Sequence, residues 1–124
     1  MTIGEVSAKT DLPESTLRYY EKKGLVTVLR DKSGRRDYAA DDIEWIRFIR
    51  RLKETGMPLK EIRRYSQLRY AGGGTMPERL KMLLAHRRYV LEQQEKWAAY
   101  LQNLDEKISF YRRAISDGGP CPPL

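Results

Sequence analysis

The sequence is poor in three features: it contains a single cysteine and a single histidine, and its apolar residues form no long run. The lone Cys121 cannot form a disulfide within the chain, which excludes a disulfide-stabilised scaffold and favours a reducing compartment. No segment approaches the roughly 20 apolar residues of a membrane-spanning helix, and the N-terminal residues lack the apolar stretch of a signal peptide. We therefore expect a soluble cytoplasmic protein that does not span a membrane.

The sequence also lacks the residue groups that enzymes and metalloproteins need. It contains no recognisable Ser-His-Asp set, no cluster of metal ligands and no phosphate-cradling loop. The glycines at 72–74 are not followed by the lysine of such a loop. We expect no enzymatic activity, no cofactor and no metal site.

Positive charge is present in excess. The 124 residues include 24 Lys and Arg against 17 Asp and Glu, for a formal net charge of +7. This length suits one domain, or a small head with an appended element. The charge favours a polyanionic partner, either nucleic acid or an anionic membrane surface, and does not choose between them.

Two short helices are predicted near the N-terminus. Thr2 and Glu5 match the capping box that starts a helix at Ile3. Pro13 suits the first turn of a second helix, and Gly24 suits its end. Two short helices joined by a tight turn form the helix-turn-helix arrangement.

A short hairpin is predicted after the second helix. Residues 25–30 are rich in β-branched side chains, residues 31–34 are typical of a turn, and residues 35–38 form the return strand. A hairpin of this size is marginal alone, so it must pack on the helices as a wing.

Two further helices follow the wing. One is predicted from the acidic pair Asp41 and Asp42 to Gly56, and the next from Pro58 to the glycines at 72–74, which we expect to form a flexible break. Their inward-facing stripes are Ile43, Ile46, Ile49 and Leu52 in the first and Leu59, Ile62, Tyr65 and Leu68 in the second.

The last predicted helix runs from about Thr75 to Ser116, roughly 60 Å at 1.5 Å per residue. Nine of the eleven positions in its two heptad series are apolar, the exceptions being Arg87 and Gln94. This pattern favours a coiled-coil seam between two copies, because no other segment is long enough to cover it, and packing within the chain is the alternative. The predicted dimerisation residues are Leu83, Val90, Trp97, Leu101, Leu104 and Ile108.

These elements predict a mainly α fold with a winged helix-turn-helix head and a long dimerisation helix. The predicted domains are the DNA-binding head at residues 1–71, the coiled-coil helix at residues 75–117 and a flexible tail at residues 118–124.

Candidate DNA contacts lie on the second helix, the wing and the start of the fourth helix. The N-terminal half of a recognition helix faces the major groove, where Arg makes paired bonds to guanine and hydroxyls bond phosphates. Basic side chains on a hairpin suit phosphates, and a helix N-terminus attracts phosphate by its dipole. The candidates are Ser15, Thr16, Arg18 and Tyr19 on the helix, Arg30, Lys32, Arg35 and Arg36 with Tyr38 behind them on the wing, and Lys60.

Several stretches resemble the mercury-resistance-regulator (MerR) family of bacterial transcription factors in residues, order and spacing. They are Ile3-Gly4-Glu5-Val6, Thr16-Leu17-Arg18-Tyr19-Tyr20-Glu21, Gly24-Leu25, Arg36-Asp37-Tyr38 and Leu59-Lys60-Glu61-Ile62. The long last helix resembles the family's dimerisation helix, so the resemblance covers nearly the whole chain.

The resemblance implies a homodimer, joined by an antiparallel coiled coil, that binds a palindromic double-stranded promoter with an unusually long spacer. The dimer bends and undertwists that spacer so that RNA polymerase engages both promoter elements. The resemblance places Arg18 and Tyr19 on the DNA, with Tyr20 beside them, and makes Arg36 and Tyr38 the phosphate contacts of the wing.

Four residues have both a functional and a non-functional explanation. Tyr20 fits a core position against the wing, and Arg35 fits a solvated turn. His86 lies on a charged helix face, where solvation is expected; a structural hydrogen bond and a pH- or ligand-sensing role are the alternatives. Cys121 is expected to be an incidental tail thiol; the alternatives are a metal site completed across a dimer and a redox- or electrophile-sensing thiol.

The sequence thus predicts a transcriptional regulator of a short form that lacks the large effector domain of some family members. A small-molecule effector would have to bind between head and coiled coil, with core packing as the alternative role for the candidate rings of Tyr65, Tyr70, Trp97 and Tyr100. The rival functions are a DNA-bending accessory protein and a coiled-coil adaptor that ignores DNA.

Overall fold

The computed structural model describes residues 1–118, so most of the predicted tail, including Cys121, lies outside the described residues. The chain divides into a head unit, Met1–Leu84, and a helical unit, Ala85–Leu124. The elements in chain order are α1 (Ile3–Thr10), α2 (Glu14–Lys22), β1 (Leu29–Arg30), β2 (Arg36–Asp37), α3 (Asp42–Glu54), α4 (Leu59–Ala71), a 3-10 turn (Gly73–Thr75) and α5 (Met76–Asp117). The predicted fold class is confirmed, and the three domain boundaries stay a prediction.

The predicted capping box of α1 forms in full. The Glu5 N–H donates to Thr2 Oγ1 at 3.1 Å, and the Thr2 N–H donates to Glu5 Oε1 at 3.3 Å. Asp11, with φ of 55°, ends the helix. Pro13 stands just before α2 instead of in its first turn, and Gly24 follows it with φ of 75°, a conformation that favours glycine.

The wing is shorter than predicted. Its antiparallel strands pair Leu29 with Asp37 and Arg30 with Arg36, and the Asp31 carboxylate accepts two N–H groups of the turn. The predicted strand beginning at Leu25 is wrong, because this segment is a buried connector. The Leu25 carbonyl accepts hydrogen bonds from side chains of two helices, Trp45 Nε1 at 2.9 Å and Ser66 Oγ at 2.7 Å.

The core of the head unit joins all its helices to the wing connector. The predicted stripes of α3 and α4 supply much of it, and each fully buried large apolar side chain stabilises the fold by about 1.5–3 kcal/mol. The fully buried side chains include Val6, Leu17, Leu25, Ile46, Ile49 and Ile62.

The glycines at 72–74 do not form the predicted flexible break. Gly73–Thr75 is a 3-10 turn. The Thr75 hydroxyl donates to the carbonyls of Leu68 and Gly72, and Arg79 Nε donates to Thr75 Oγ1 at 3.0 Å. The junction between α4 and α5 is therefore hydrogen-bonded through side chains.

Within the helical unit, α5 carries an apolar stripe at the predicted seam positions. The side chains of Trp97, Leu101, Leu104 and Ile108 are 70%, 58%, 58% and 38% exposed. Leu83, in the head unit, is half-buried and packs against the head core, and Val90 is half-buried. Among residues 1–118, no helix is both long enough and apolar enough to cross a membrane.

Candidate nucleic-acid interface

Helix α2 has one buried face and one exposed face. Leu17 is buried, whereas Ser15 and Arg18 are exposed and Tyr19 is 38% exposed. The Arg18 guanidinium lies 3.2 Å from the Glu14 carboxylate, in an exposed pair of the kind that contributes about 0–1 kcal/mol. Such a weak pair leaves Arg18 available for another partner.

Two of the predicted helix contacts occupy less open positions. Thr16 is half-buried, and its N–H donates to the Pro13 carbonyl at 3.0 Å in the first turn. Tyr20 is only 3% exposed, and burial raises the pKa of its hydroxyl. Tyr20 therefore has the core position that was its structural alternative. Its spacing of three residues from Leu17 on one helical face is the signal that indicates burial.

A carboxylate on α2 holds the wing. Glu21 Oε1 accepts from Arg36 Nε at 2.7 Å, and Glu21 Oε2 accepts from Arg30 Nη2 at 3.3 Å. Arg35, by contrast, is exposed, and its guanidinium forms no ion pair within residues 1–118. Helix α2 and the wing are thus joined by charge-assisted hydrogen bonds, which are stronger than neutral ones.

Tyr38 does not present its hydroxyl on the surface of the wing. The residue is 3% exposed, and within the described chain its buried hydroxyl has no hydrogen-bond partner. Burial also raises the pKa of this hydroxyl. The prediction that Tyr38 contacts a phosphate is corrected, because its ring belongs to the head core and its hydroxyl is buried.

Lys60 is exposed in the first turn of α4. No side chain caps this helix, which begins after Pro58. The positive end of the helix dipole and the Lys60 ammonium therefore lie together, an arrangement that favours an anion.

A cavity of about 680 Å³ lies between the wing, the start of α3 and the end of α4. The Asp42 carboxylate, 3% exposed, accepts the Ala39 N–H at 3.0 Å and the Tyr70 hydroxyl at 3.5 Å. The Thr27 N–H donates to the Tyr70 oxygen at 3.1 Å. Burial raises the pKa of the Asp42 carboxyl, and the bond from Ala39 partly opposes this rise.

The other aromatic and titratable candidates lie in the core of the head unit or on α5. The Tyr65 ring is buried and stacks on Trp45, with centroids 5.5 Å apart, as its core-packing alternative describes. His86 is half-buried instead of solvated and stacks on Tyr89 at 6.0 Å. Among residues 1–118, no group of three or more His, Cys, Asp or Glu residues is arranged for a metal ion.

Family comparisons match both the head and the helix that follows it. Residues 1–68 match the MerR HTH family regulatory protein, and residues 43–107 match the family described as MerR, DNA binding. An uncharacterized HTH-type transcriptional regulator of Haemophilus influenzae is 34% identical over 118 residues, 94% of this chain and 87% of that protein. The HTH-type transcriptional regulator AdhR of Bacillus subtilis is 37% identical over 93 residues, 74% of this chain and 66% of that protein.

Solved structures are similar over almost the whole chain. The crystal structure of HiNmlR, a MerR family regulator lacking the sensor domain, bound to promoter DNA, has a TM-score of 0.81 and 34% identity, covering 95% of this chain and 94% of that one. A MerR family transcriptional regulator from Listeria monocytogenes has a TM-score of 0.88 and 29% identity, covering 95% of this chain and 90% of that one. The sequence, the winged head and these comparisons together establish that the chain belongs to the MerR family of DNA-binding transcriptional regulators.

Proposed function

We propose that this chain binds a palindromic promoter as a homodimer and distorts the spacer DNA, so that RNA polymerase can engage both promoter elements. The protein acts in the cytoplasm, and its proposed function includes no catalytic step. The observation that carries the proposal is the exposed face of α2, with Ser15, Arg18 and Tyr19, beside a wing that Glu21 joins to the same helix.

Each proposed contact follows from the chemistry of an exposed side chain. Arg18 lies on the helix that enters the major groove, where a guanidinium can bond both acceptors of guanine. Ser15 and the Tyr19 hydroxyl bond phosphates and set the register of the helix on DNA. Arg35 and Lys60 neutralise phosphates on either side of that helix.

Substitution of Arg18 by Ala tests base recognition. We expect specific affinity for the DNA upstream of the gene to fall about 30- to 20,000-fold, because the homodimer loses two bidentate guanine contacts of about 1–3 kcal/mol each. Affinity for a random duplex should fall much less. Arg47→Ala is the control, because it removes a similarly exposed, ion-paired guanidinium from α3; Arg47 also donates to the Lys9 carbonyl, so the free energy of unfolding of this variant is measured alongside its DNA affinity. Equal losses of specific and random binding for Arg18→Ala would make Arg18 a phosphate contact only.

A transcription assay on the same promoter separates regulation from the rival functions. A regulator changes promoter output when Arg18 is intact and loses that effect with Arg18→Ala. A DNA-bending accessory protein would bind without changing output, and an adaptor would dimerise without binding duplex.

The exposed stripe of α5 supports dimerisation, and we propose the antiparallel orientation from the family resemblance. A two-fold axis near residue 99 places Trp97 opposite Leu101 of the partner subunit and Val90 opposite the partner's Ile108. It also places Arg87 opposite the partner's Tyr111, whose ring can accept the guanidinium. Covering side chains that are 70% and 58% exposed supplies the driving force.

Spin labels measure this arrangement directly. In a chain carrying Cys121→Ser, labels at Ala99→Cys should lie on the order of 20 Å apart, about two helix diameters. Labels at Arg113→Cys should lie about 42 Å apart along the axis, at 1.5 Å per residue. If the labels at position 113 lie about 10 Å farther apart than this, the register of the two helices differs from the proposed one by one heptad. Short distances at both positions would mean a parallel dimer and overturn the proposal.

A further inference from the structure

Lys53, in the last turn of α3, reaches the recognition helix. Its ammonium lies 5.1 Å from the centroid of the Tyr19 ring and 5.3 Å from that of Tyr20. Lys23, which caps the C-terminal end of α2, has its ammonium 5.8 Å from the centroid of the same Tyr19 ring. One lysine of α3 and the lysine that caps α2 therefore meet at Tyr19, and we call these three residues the Tyr19 cluster.

Neither ammonium is neutralised by an acidic side chain. Within the described part of the chain, no carboxylate lies within ion-pair distance of Lys53 or Lys23. A ring face attracts an ammonium by its quadrupole, but it does not satisfy the three N–H donors that lysine carries. Each ammonium is thus positioned by aromatic contacts while its hydrogen-bonding capacity stays available.

The Tyr19 cluster also has the composition of a phosphate site. The 38% exposed Tyr19 adds a hydroxyl donor to the two ammonium groups. A phosphate has several strong acceptor oxygens, and charge-assisted bonds to them are shorter and stronger than neutral ones. Arg18 precedes Tyr19 on α2, so a phosphate bound here would adjoin the bases that Arg18 is proposed to read.

We propose that Lys53 is a DNA-contacting residue, which binds a backbone phosphate together with Tyr19 and Lys23 at the edge of the groove that α2 enters. This inference rests on the proposed function, because it assumes that α2 is the recognition helix. It adds α3 to the elements that touch DNA, although no base-reading or wing motif includes α3.

A purely structural role is the competing explanation. Lysine in the last turn of a helix offsets the negative end of the helix dipole, and the Lys53 stem covers aromatic surface. Lys9 occupies the equivalent last-turn position of α1, and within residues 1–118 no tyrosine ring lies beneath its ammonium, which contacts Met1 Sδ at 3.8 Å. Lys9→Met is therefore the matched control for Lys53→Met, since both remove one charge from the end of a helix in the head unit.

The test is the salt dependence of DNA binding. Affinities of wild type, Lys53→Met and Lys9→Met are measured between 50 and 200 mM salt on the duplex upstream of the gene and on a random duplex. Each neutralised phosphate contributes about 0.9 to the slope of log affinity against log salt, so a dimer should lose about 1.8 with Lys53→Met. The ratio of the wild-type affinity to the Lys53→Met affinity should therefore fall about tenfold between 50 and 200 mM salt. Lys53→Arg should restore most of the slope.

The outcomes separate this inference from the proposed function. If the wild type prefers neither duplex, specific recognition fails, and the random duplex still shows whether Lys53 meets a phosphate. If the wild type binds specifically and Lys53→Met keeps the full slope, the inference about Lys53 is overturned alone. If Lys9→Met loses as much slope as Lys53→Met, the change reflects net charge alone, and the inference about Lys53 is also overturned. Lys53→Gln replaces Lys53→Met if the latter does not fold.

Discussion

Replacement of Tyr38 by Phe should stabilise the head unit. The Tyr38 hydroxyl is buried and, within residues 1–118, has no hydrogen-bond partner. A buried donor left without a partner costs about 1–3 kcal/mol, and Phe keeps the ring while removing that group. The free energy of unfolding should therefore rise by about 1–2 kcal/mol. Urea denaturation at a fixed protein concentration measures it, since dimerisation makes the transition concentration-dependent.

Tyr70→Phe is the matched control. The Tyr70 oxygen accepts the Thr27 N–H and donates to Asp42, so its removal should lower the free energy of unfolding by about 1 kcal/mol. Each variant removes one tyrosine hydroxyl oxygen from the wild type. The free energy of unfolding should change in opposite directions, because the Tyr70 hydroxyl forms hydrogen bonds and the Tyr38 hydroxyl, within residues 1–118, does not. DNA affinity of Tyr38→Phe should equal that of the wild type. Destabilisation by Tyr38→Phe would show that the hydroxyl has a partner in solution, and lost affinity would restore it as a DNA contact.

Three further predictions concern the cap, the wing and the buried carboxyl. Thr2→Ala should lower the free energy of unfolding by about 1 kcal/mol, because α1 loses its N-cap; thermal unfolding checks this, and Thr2→Ser should retain the stability. Glu21→Gln should increase hydrogen exchange in the wing and weaken specific DNA binding, because Arg36 loses its charged partner; unchanged exchange would contradict the proposed joining of wing and α2. Asp42 has a raised pKa, so its contribution to stability is present below the pKa of the unfolded carboxyl and is lost as pH rises through the folded one. Asp42→Asn mimics the protonated form. Its free energy of unfolding, relative to that of the wild type, should therefore be higher at pH 7 than near pH 4. Urea titrations at both pH values measure this difference, and the opposite trend would refute the raised pKa.

Local sequence signals predicted the helices well. The capping box at Thr2 and the glycine after α2 act within one turn, so their outcome depends on few neighbours. Apolar spacing likewise located the inward faces of α3 and α4, because these helices pack around one core. Such signals succeed where the nearest residues decide the conformation.

Residues at the edge of a helical face or in the wing were harder to place. Leu25 and Val26 suit a strand by composition, but they became a buried connector because Trp45 and Ser66 satisfy the Leu25 carbonyl from distant parts of the chain. Tyr20 and Tyr38 were placed on DNA by motif. Their burial depends on how α3 and the wing pack, which a linear pattern does not contain.

Lys53 was missed for a related reason. Its position at the end of α3 is typical of a solvated lysine, and nothing in its neighbours along the sequence indicates an aromatic partner. The contact with Tyr19 arises only when the ends of α2 and α3 converge. A sequence shows which residues are charged, but only the folded structure shows which other residues they adjoin.

Glu21 gives the head a fixed internal dimension. Because one carboxylate on α2 binds both Arg30 and Arg36, the distance between α2 and the wing is set before any DNA is bound. A duplex can match that distance only if its groove has the corresponding width, and groove width varies with base composition. Base pairs that no side chain touches should therefore alter affinity, and stiff sequences between the helix and wing positions should be discriminated from deformable ones.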